Sequence, residues 1–242
     1  MTAPAIPQIS GLLNINKPSG VSSYWVVNQV KKVLKIKKVG HCGTLDPMAT
    51  GVLLVLFGKA TKLQARFMAA KKVYRAGVLF GVATDSGDIT GKILRKEEAL
   101  DISPDKIKEA VLAFVGEIEQ IPPMFSALKH EGRRLYEIAR EGGEVARKSR
   151  KITIYDIDVL KIEMPRVEVR VTCSSGTYIR TLAEDIGGRL GTVAALDSLV
   201  REEIAPFKIQ DSLEGAMIGK MDREELLKHS IDANAFADEA RA

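Results

Sequence analysis

A short loop, Gly40–Gly51, concentrates residue types that can do chemistry. Its sequence, GHCGTLDPMATG, carries glycines, a histidine and a carboxylate, and it precedes the apolar run Val52–Phe57. Loops of this kind hold polar groups at the mouth of a rigid scaffold. Asp46 can serve there as a nucleophile or a base, or it can simply cap the turn before Pro47. The local sequence leaves both roles open.

Metal binding and nucleotide cofactors find little support in the sequence. His41, His130 and His229 lack the spacing of metal ligands, so a hydrogen bond within the loop is the simplest role for His41. Cys42 and Cys173 do not form a CxxC pair. The sequence contains neither GxGxxG nor GxxxxGK[ST], which argues against dinucleotide or P-loop chemistry.

Composition predicts a soluble globular protein. The 242 residues suffice for one medium domain or for one domain with a small appendage, and 45% are hydrophobic and 28% charged. The longest apolar run, Val52–Phe57, is too short to cross a bilayer, and no signal peptide is recognisable, so membrane insertion and secretion are not expected. Two cysteines without a pairing pattern favour the reducing cytoplasm.

Basic residues are concentrated in the body of the chain. The net charge is +5 and the pI is near 9.1. Residues 211–242 contain eight acidic and four basic residues, so this tail carries −4 and residues 1–210 carry +9. A polyanionic partner is therefore expected to bind the body of the protein.

The elements that must position the loop follow from hydrophobic periodicity. Leu12–Ile15 predicts a strand, Ser22 or Ser23 caps a helix, and Val52–Phe57 predicts a buried strand. Residues 39–51 are expected to be a loop. Further strands are predicted at 73–82, 152–163, 167–173 and 196–201, and helices at 103–115, 178–190 and 222–231. Strands in hairpin-like pairs predict an α+β fold with a mainly antiparallel sheet.

A basic insertion is predicted between the Pro-rich and Gly-rich parts of residues 121–151. Residues 124–151 contain eight basic and four acidic residues, and they end in a basic run. A mobile cationic clamp and a solvated charged face would both have this composition. The run consists of Arg147, Lys148, Arg150 and Lys151 around Ser149.

Six segments, in order, resemble the motifs of one family. They are 17–23 (KPSGVSS), 40–51, 72–76 (KVYRA), 84–88 (TDSGD), 122–129 (PPMFSALK) and 176–182 (GTYIRTL). They are similar to the TruB family, bacterial enzymes that make pseudouridine at position 55 in the T loop of tRNA. The resemblance covers roughly residues 10–207, and Gly40–Gly51 matches the signature motif.

The resemblance implies a pseudouridine synthase fold, in which a mainly antiparallel mixed sheet is flanked by helices. It implies isomerisation of a uridine that is flipped out of the tRNA T arm, by a cytoplasmic monomer without a cofactor or metal. The catalytic domain would span residues 10–210, with 124–151 as the RNA-gripping insertion. The acidic tail, 211–242, is too short for the C-terminal RNA-binding PUA domain of many relatives.

The resemblance also implies roles for individual residues. Asp46 matches the catalytic aspartate and Arg180 the arginine that pairs with it, although an arginine on a helix is usually a surface charge. Tyr74 matches the aromatic residue that stacks on the flipped base, although a strand aromatic is usually a core residue.

Further residues match positions that bind the substrate. Asp88 resembles an acid in a charge network with the arginine, or caps a turn, and Leu199 lines the uracil pocket or packs in the core. His41 resembles the histidine that enters the RNA loop. Lys17 and the basic run of the insertion complete the expected RNA-binding residues.

Two segments depart from the family pattern, and two other functions stay open. Phe125 stands where tyrosine is common, and the acids in 201–207 replace basic or neutral residues. The chain could be an RNA-binding or RNA-folding protein without catalysis, although Asp46, Tyr74 and Arg180 argue against this. It could also be a synthase for another RNA, because surface shape selects the target.

Overall fold

The computed structural model describes residues 9–98 and 101–236. Strands are β1 (Gly11–Lys17), β2 (Val39–His41), β3 (Thr50–Phe57), β4 (Lys72–Phe80), β5 (Val82–Thr84), β6 (Ile93–Lys96), β7 (Gly116–Gln120), β8 (Lys129–His130), β9 (Arg133–Arg134), β10 (Arg150–Glu163), β11 (Arg166–Cys173), β12 (Ala194–Ile204), β13 (Phe207–Lys208) and β14 (Leu213–Glu214). Helices are α1 (Ser23–Leu34), α2 (Gln64–Ala69), α3 (Pro104–Leu112), α4 (Leu135–Arg140), α5 (Ile179–Arg189) and α6 (Arg223–Lys228). Short 3₁₀ helices occupy Gly58–Leu63, Ile209–Asp211 and Gly215–Lys220.

The chain divides into two compact units. Residues 1–72 and 201–242 form the first unit, and residues 73–200 form the second, so the division falls within β12. Within the described ranges, every helix is too short and too polar to cross a bilayer.

In the first unit, β1 and β3 form the central pair of strands. They are antiparallel, with Gly11 opposite Phe57 and Lys17 opposite Gly51. β14 adds to β1 in parallel, β2 adds to β3 antiparallel, and the end of β12 lies beside β3. The strands are therefore mixed but mainly antiparallel, as the sequence predicted.

Both faces of β3 are covered, which explains its unbroken apolar run. Successive side chains of a strand point to opposite faces. Leu53 and Val55 pack with the buried face of α1, and Leu54 and Leu56 pack with Phe67 of α2. A strand covered on both faces has no position that favours a polar residue.

The start of α1 agrees with its sequence signal. The Ser22 hydroxyl accepts a hydrogen bond from the Trp25 backbone N–H at 3.1 Å, so Ser22 is the N-cap. Val26, Val30 and Leu34 recur at intervals of four residues and are fully buried. The amphipathic pattern therefore sets which side of α1 faces the strands.

The described part of the acidic tail packs against α1 within the first unit. Ile218 and Leu226 are fully buried and pack in the same cluster as the apolar face of α1. Leu12 and Ile231 exchange backbone hydrogen bonds at 2.9 and 2.8 Å. The predicted tail helix is the shorter α6, and residues 237–242 of the tail lie outside the described residues.

In the second unit, the strands follow the order β4, β11, β10, β7, and the beginning of β12 lies beside β4. β10 and β11 form a long antiparallel hairpin, and β7 pairs antiparallel with β10. Ser103 caps α3 and Pro104 occupies its first turn, as predicted, although α3 ends at Leu112 rather than near Val115. The α+β prediction is confirmed in both units.

Two further predictions, both about strands, were wrong. Residues 39–41 form β2, because His41 pairs with Val55 of β3 instead of lying in a loop. The strand predicted at 73–82 is divided into β4 and β5 at Gly81. Gly81 has φ +79°, and an added Cβ would lie 2.9 Å from the Glu97 carbonyl oxygen, so the break requires glycine.

Gly51→Ala should strongly destabilise the protein. Gly51 has φ +101°, and an added Cβ would lie 2.2 Å from the Arg201 carbonyl oxygen, which belongs to the backbone of β12 and cannot move freely. We expect a loss of about 3 kcal/mol or more in the free energy of unfolding, measured by urea denaturation.

Gly20→Ala is the matched control. Gly20 has φ +82° but no atom within 4 Å of an added Cβ, so only the backbone conformation is penalised. We expect a loss of about 1 kcal/mol for this change. Equal losses in both variants would contradict the close approach of β3 and the end of β12.

Candidate active site

Asp46 lies in the loop between β2 and β3. Its side chain is half-buried, and its carbonyl oxygen accepts a hydrogen bond from the Ala49 N–H at 3.1 Å, which closes a tight turn. The loop makes few backbone hydrogen bonds of its own. Its conformation therefore depends on side chains that reach it from neighbouring elements.

Ser23, at the start of α1, fixes the residue before Asp46. Its hydroxyl accepts a hydrogen bond from the Leu45 N–H at 2.9 Å and lies 3.1 Å from the Leu45 carbonyl oxygen, to which it donates. Ser23 is buried, so water does not compete for these contacts. One hydroxyl thus holds both polar groups of Leu45.

Lys17 holds the residue after Asp46. Its ammonium donates to the carbonyl oxygens of Pro18, Val21 and Pro47, at 2.9, 2.7 and 3.2 Å. The side chain is fully buried. The sequence placed Lys17 among the RNA-binding residues, but an ammonium has three donors and all three are used here, so the structure assigns it to the loop instead.

Burial also changes the ionisation of Lys17. Loss of hydration disfavours the charged form and lowers the pKa of Lys17 to about 8. The attraction of Asp46 opposes this shift, and the repulsion of Arg201 adds to it. The three carbonyl oxygens offset part of this penalty. Lys17 is thus an internal cation close in pKa to physiological pH.

Arg201 is a residue whose importance the sequence reasoning missed. Its Nε donates to the Val52 carbonyl oxygen at 2.7 Å, and its Nη2 donates to the Gly43 carbonyl oxygen at 3.0 Å. Only 1% of the residue is exposed. Its inward position in a predicted strand, two residues after the apolar Leu199, was the available signal, because a charge there must find partners inside the protein.

His41 is half-buried, and Cys42 is fully buried in the core. Burial and the positive charge of Arg201 lower the pKa of His41, so its imidazole is neutral at physiological pH. Its Nδ1 is buried and has no hydrogen-bond partner among the described residues. Burial raises the pKa of Cys42 to about 12, which leaves a protonated thiol in the core and no nucleophile.

Arg180, near the start of α5 in the second unit, is a buried arginine rather than a surface charge. Its Nη1 donates to the Ser86 carbonyl oxygen at 2.8 Å, and its Nη2 donates to the Phe125 carbonyl oxygen at 2.7 Å. Only 5% of the residue is exposed. Because Phe125 contributes its main chain to this contact, the departure from tyrosine leaves the contact unchanged.

Asp88 lies on the turn that faces Arg180. Its Oδ1 accepts hydrogen bonds from the Thr90 N–H and hydroxyl at 2.9 and 2.6 Å, and from the Ser86 hydroxyl at 3.0 Å. Its Oδ2 is 4.0 Å from the Arg180 Nε. The carboxylate therefore caps its turn and faces the guanidinium at the outer limit of an ion pair.

Tyr74 and Leu199 are buried in the second unit. Tyr74 is on β4 and Leu199 on β12, and each is 7% exposed. The burial of Asp88 and Arg180 distinguishes them from ordinary loop and helix positions, whereas the burial of Tyr74 and Leu199 fits core packing as well as a role in the site.

The basic run of the insertion is more exposed. Lys148 and Arg150 are exposed, the latter at the start of β10, whereas Arg147 is half-buried. Arg147 pairs with Glu144 at 3.0 Å, and Lys151 pairs with Glu117 at 2.8 Å. The insertion thus has local acids that neutralise part of its charge.

A family model described as TruB family pseudouridylate synthase, N-terminal domain, matches residues 31–179. The chain belongs to the TruB family. The resemblance seen in the six motifs is confirmed.

Two relatives of this TruB-family chain are named tRNA pseudouridine synthase B. That of Endomicrobium trichonymphae is 54% identical over 85% of this chain and 89% of its own. That of Clostridium kluyveri is 48% identical over 92% of this chain and 76% of its own.

A solved structure resembles this TruB-family chain over nearly its whole length. A chain in the crystal structure of a Cbf5–Nop10–Gar1 complex matches with a TM-score of 0.73 and 31% identity. The match covers 95% of this chain and 62% of the other, which is longer. The predicted pseudouridine synthase fold is thereby confirmed.

Within residues 9–98 and 101–236, no three His, Cys, Asp or Glu side chains are grouped as metal ligands would be. His41 and Cys42 are neighbours in sequence, but they lack a third ligand in this part of the chain.

The low pKa of Lys17 predicts how stability depends on pH. In the unfolded chain the lysine keeps its proton up to about pH 10.5, whereas in the folded protein it loses it from about pH 8. Between these values the unfolded state binds more protons, so the free energy of unfolding rises with pH. Below about pH 8 the folded protein carries the full cost of the buried charge.

Lys17→Met removes this titration. The difference in free energy of unfolding between wild type and Lys17→Met, measured in urea from pH 7 to pH 10.5, should shift in favour of wild type above about pH 8. The other titrating groups contribute equally to the free energy of unfolding of both proteins, so their contributions cancel in the difference. A difference that stays constant over this range would contradict the buried ammonium.

Proposed function

We propose that the chain isomerises the uridine at position 55 in the T loop of tRNA, with Asp46 as the catalytic carboxylate. The general activity follows from the family: the chain is a tRNA pseudouridine synthase, an isomerase that converts uridine to pseudouridine in tRNA. The position in the tRNA and the roles of individual residues are the parts that we propose.

The anchoring of the Asp46 loop carries the proposal. Ser23 fixes Leu45 on one side of Asp46, and Lys17 and the Gly20 N–H fix Pro47 on the other, the latter at 2.8 Å. Arg201 fixes Gly43. A residue that merely capped a turn would not need contacts on both sides, whereas a catalytic group must be held within fractions of an ångström.

The reaction moves one bond within a single nucleotide. The bond between N1 of uracil and C1′ of the ribose breaks, the detached uracil rotates while it is held, and its C5 forms a bond to C1′. The proton on C5 is removed, and N1 gains a proton. Asp46 acts on the base or on the sugar as a nucleophile or a base, and the reaction needs no cofactor.

Tyr74 and Arg180 support this chemistry in the proposal. Tyr74 stacks on the flipped base and assists removal of the C5 proton. Arg180 keeps the catalytic carboxylate ionised, and Asp88 belongs to the same charge network. Main-chain carbonyl oxygens orient two nitrogens of the Arg180 guanidinium, which supports a positioned rather than a mobile cation. Leu199 lines the uracil pocket.

RNA binding is assigned to His41 and the insertion. His41 enters the T loop beside the extruded nucleotide, and its neutral imidazole is suited to packing among bases because it carries no charge to desolvate. Arg147, Lys148, Arg150 and Lys151 contact phosphates of the T arm. We further propose that the chain acts as a monomer in the cytoplasm.

Asp46→Asn should abolish turnover. The amide keeps the shape of the carboxylate but cannot act as nucleophile or base, so single-turnover rates of pseudouridine formation should fall by about a thousandfold or more. RNA affinity should change by less than about threefold, because the amide preserves the surface.

Asp158→Asn, an exposed change on β10, serves as the control for the loss of one negative charge and should react like wild type. Retention of more than about a tenth of the wild-type rate in Asp46→Asn would overturn the assignment. Wild-type RNA binding without any turnover would instead favour the non-catalytic RNA-binding function.

Arg180→Lys should also cripple the enzyme. A lysine has one ammonium and cannot contact two carbonyl oxygens and a carboxylate in the geometry of a guanidinium. We expect kcat to fall by about a hundredfold or more at saturating RNA. Arg189→Lys, an exposed change at the end of the same helix, is the control. Near-normal rates in Arg180→Lys would show that the planar contact is unnecessary.

A further inference from the structure

A group of lysines at one end of the first unit has no role in the proposed reaction. Lys31 and Lys32 lie in the last turn of α1, Lys35 caps its end, and two more lysines follow directly. Two further lysines, Lys59 and Lys62, lie in the 3₁₀ helix Gly58–Leu63. All except Lys31 are exposed. We call this group the lysine surface; its members are Lys31, Lys32, Lys35, Lys37, Lys38, Lys59 and Lys62.

The backbone brings these lysines together. The Gly58 N–H donates to the Lys38 carbonyl oxygen at 2.9 Å, so the segment after α1 runs beside the start of the 3₁₀ helix. Lys59 and Lys62 are three residues apart in that helix and therefore share a face. The Ile36 N–H donates to the Lys31 carbonyl oxygen at 3.3 Å, which folds the segment back against the end of α1.

The lysine surface is not neutralised by ion pairs within the described residues. In the parts of the chain that the structure describes, none of its seven lysines forms an ion pair, whereas the insertion has Arg133–Glu141, Arg147–Glu144 and Lys151–Glu117 pairs. Asp46 is the only acidic residue among residues 1–84, which include 12 basic residues. Clustered cations repel each other, and a cluster without ion pairs is typical of a surface that binds a polyanion.

An exposed aromatic ring adjoins the lysines. Tyr24 is 58% exposed, and the Lys31 ammonium lies 5.3 Å from its ring centroid. The apolar face of α1 is buried against Ile218 and Leu226, so the helix offers a charged surface and not an apolar one. This composition suits a phosphate backbone better than a lipid surface.

The lysine surface lies at a distance from Asp46. Ser23 contacts Leu45 at the start of α1, and Leu34 is 11 residues later, which is about 17 Å at 1.5 Å per residue. β3 gives a similar distance between the Asp46 loop and the lysine surface. Gly51 lies at the loop end of this strand and Phe57 at the lysine end, and they are six residues, or about 20 Å, apart. A ligand that reaches both places must be about 20 Å long, the length of roughly six phosphate steps along one strand.

We infer that the lysine surface is a second RNA contact, which binds the phosphates of the stem about 20 Å from the reacting uridine. This inference rests on the proposed function and adds a substrate-binding surface to it. Lysine ammonium groups bind phosphates as point charges and do not read bases, so the contact fixes the position of the stem without selecting its sequence.

The test uses two hairpins and three variants. The hairpins carry the same T loop on stems of about four and about twelve base pairs, of which only the longer reaches the lysine surface. The test variant is Lys32→Gln, Lys37→Gln, Lys38→Gln, Lys59→Gln, whose residues are exposed. The charge-matched control is Lys92→Gln, Lys96→Gln, Lys106→Gln, Lys108→Gln, exposed in the second unit. The third variant replaces the four test lysines with arginine.

Fluorescence titration at several potassium chloride concentrations measures Kd and its salt dependence. For the long stem, the glutamine variant should raise Kd by about tenfold or more and flatten the log–log salt slope by about two to four units. For the short stem, Kd should change by less than about threefold. The arginine variant should bind like wild type, and so should the control.

Three outcomes would overturn the inference: an unchanged Kd for the long stem, an equal loss with both stems, or an equal loss in the control. Unfolding in urea verifies that each variant is folded. Pseudouridine formation by the wild type is measured on the same hairpins. A wild type that forms none contradicts the proposed function, whereas an active wild type with an unaffected glutamine variant contradicts this inference alone.

Discussion

Two buried cations, Lys17 and Arg201, determine the shape of the loop that carries Asp46. A charge inside a protein must be compensated by hydrogen bonds, and here the compensating groups are main-chain carbonyl oxygens. The two side chains turn the Pro47 and Gly43 carbonyl groups inwards, on either side of Asp46. If the loop moved, each buried cation would lose one of its carbonyl acceptors, the Pro47 oxygen for Lys17 and the Gly43 oxygen for Arg201. These two contacts therefore hold the loop in place although it is neither a helix nor a strand.

The rest of the first unit serves this arrangement. The close approach of Gly51 to the backbone of β12 brings Arg201 next to Val52, and the register of β1 and β3 places Lys17 opposite Gly51. α1 contributes Ser23 at one end and lysines at the other. A single set of elements thus connects the Asp46 loop to a cationic surface. A similar principle holds in the second unit, where carbonyl oxygens orient the Arg180 guanidinium.

Much of the fold could be predicted because the apolar patterns are strong. β3 has an unbroken apolar run, α1 has Ser22 as a cap and buried residues every four positions, and Pro104 marks the start of α3. β2 was missed because three residues with Gly40 in the middle carry no periodic signal. The break at Gly81 depends on the Glu97 carbonyl group, a tertiary contact that no local pattern contains.

The site was predicted through motif resemblance more than through physical pattern. Composition and spacing alone did not decide whether Asp46 caps a turn or acts as a catalytic group. They favoured a surface position for Arg180, which is buried. Lys17 was expected to contact RNA from the motif resemblance alone, and three inward carbonyl oxygens cannot be foreseen from sequence. Arg201 was overlooked although its place in a predicted strand, two residues after Leu199, was a usable signal.

Mapping of pseudouridine in tRNA after incubation with the purified protein tests the account most directly. Unmodified tRNA transcripts are treated with the enzyme, and each converted uridine is located by chemical labelling and sequencing. The account predicts conversion at position 55 in the T loop and nowhere else in the tRNA. Conversion at another position, or none in tRNA while another RNA is modified, would contradict it.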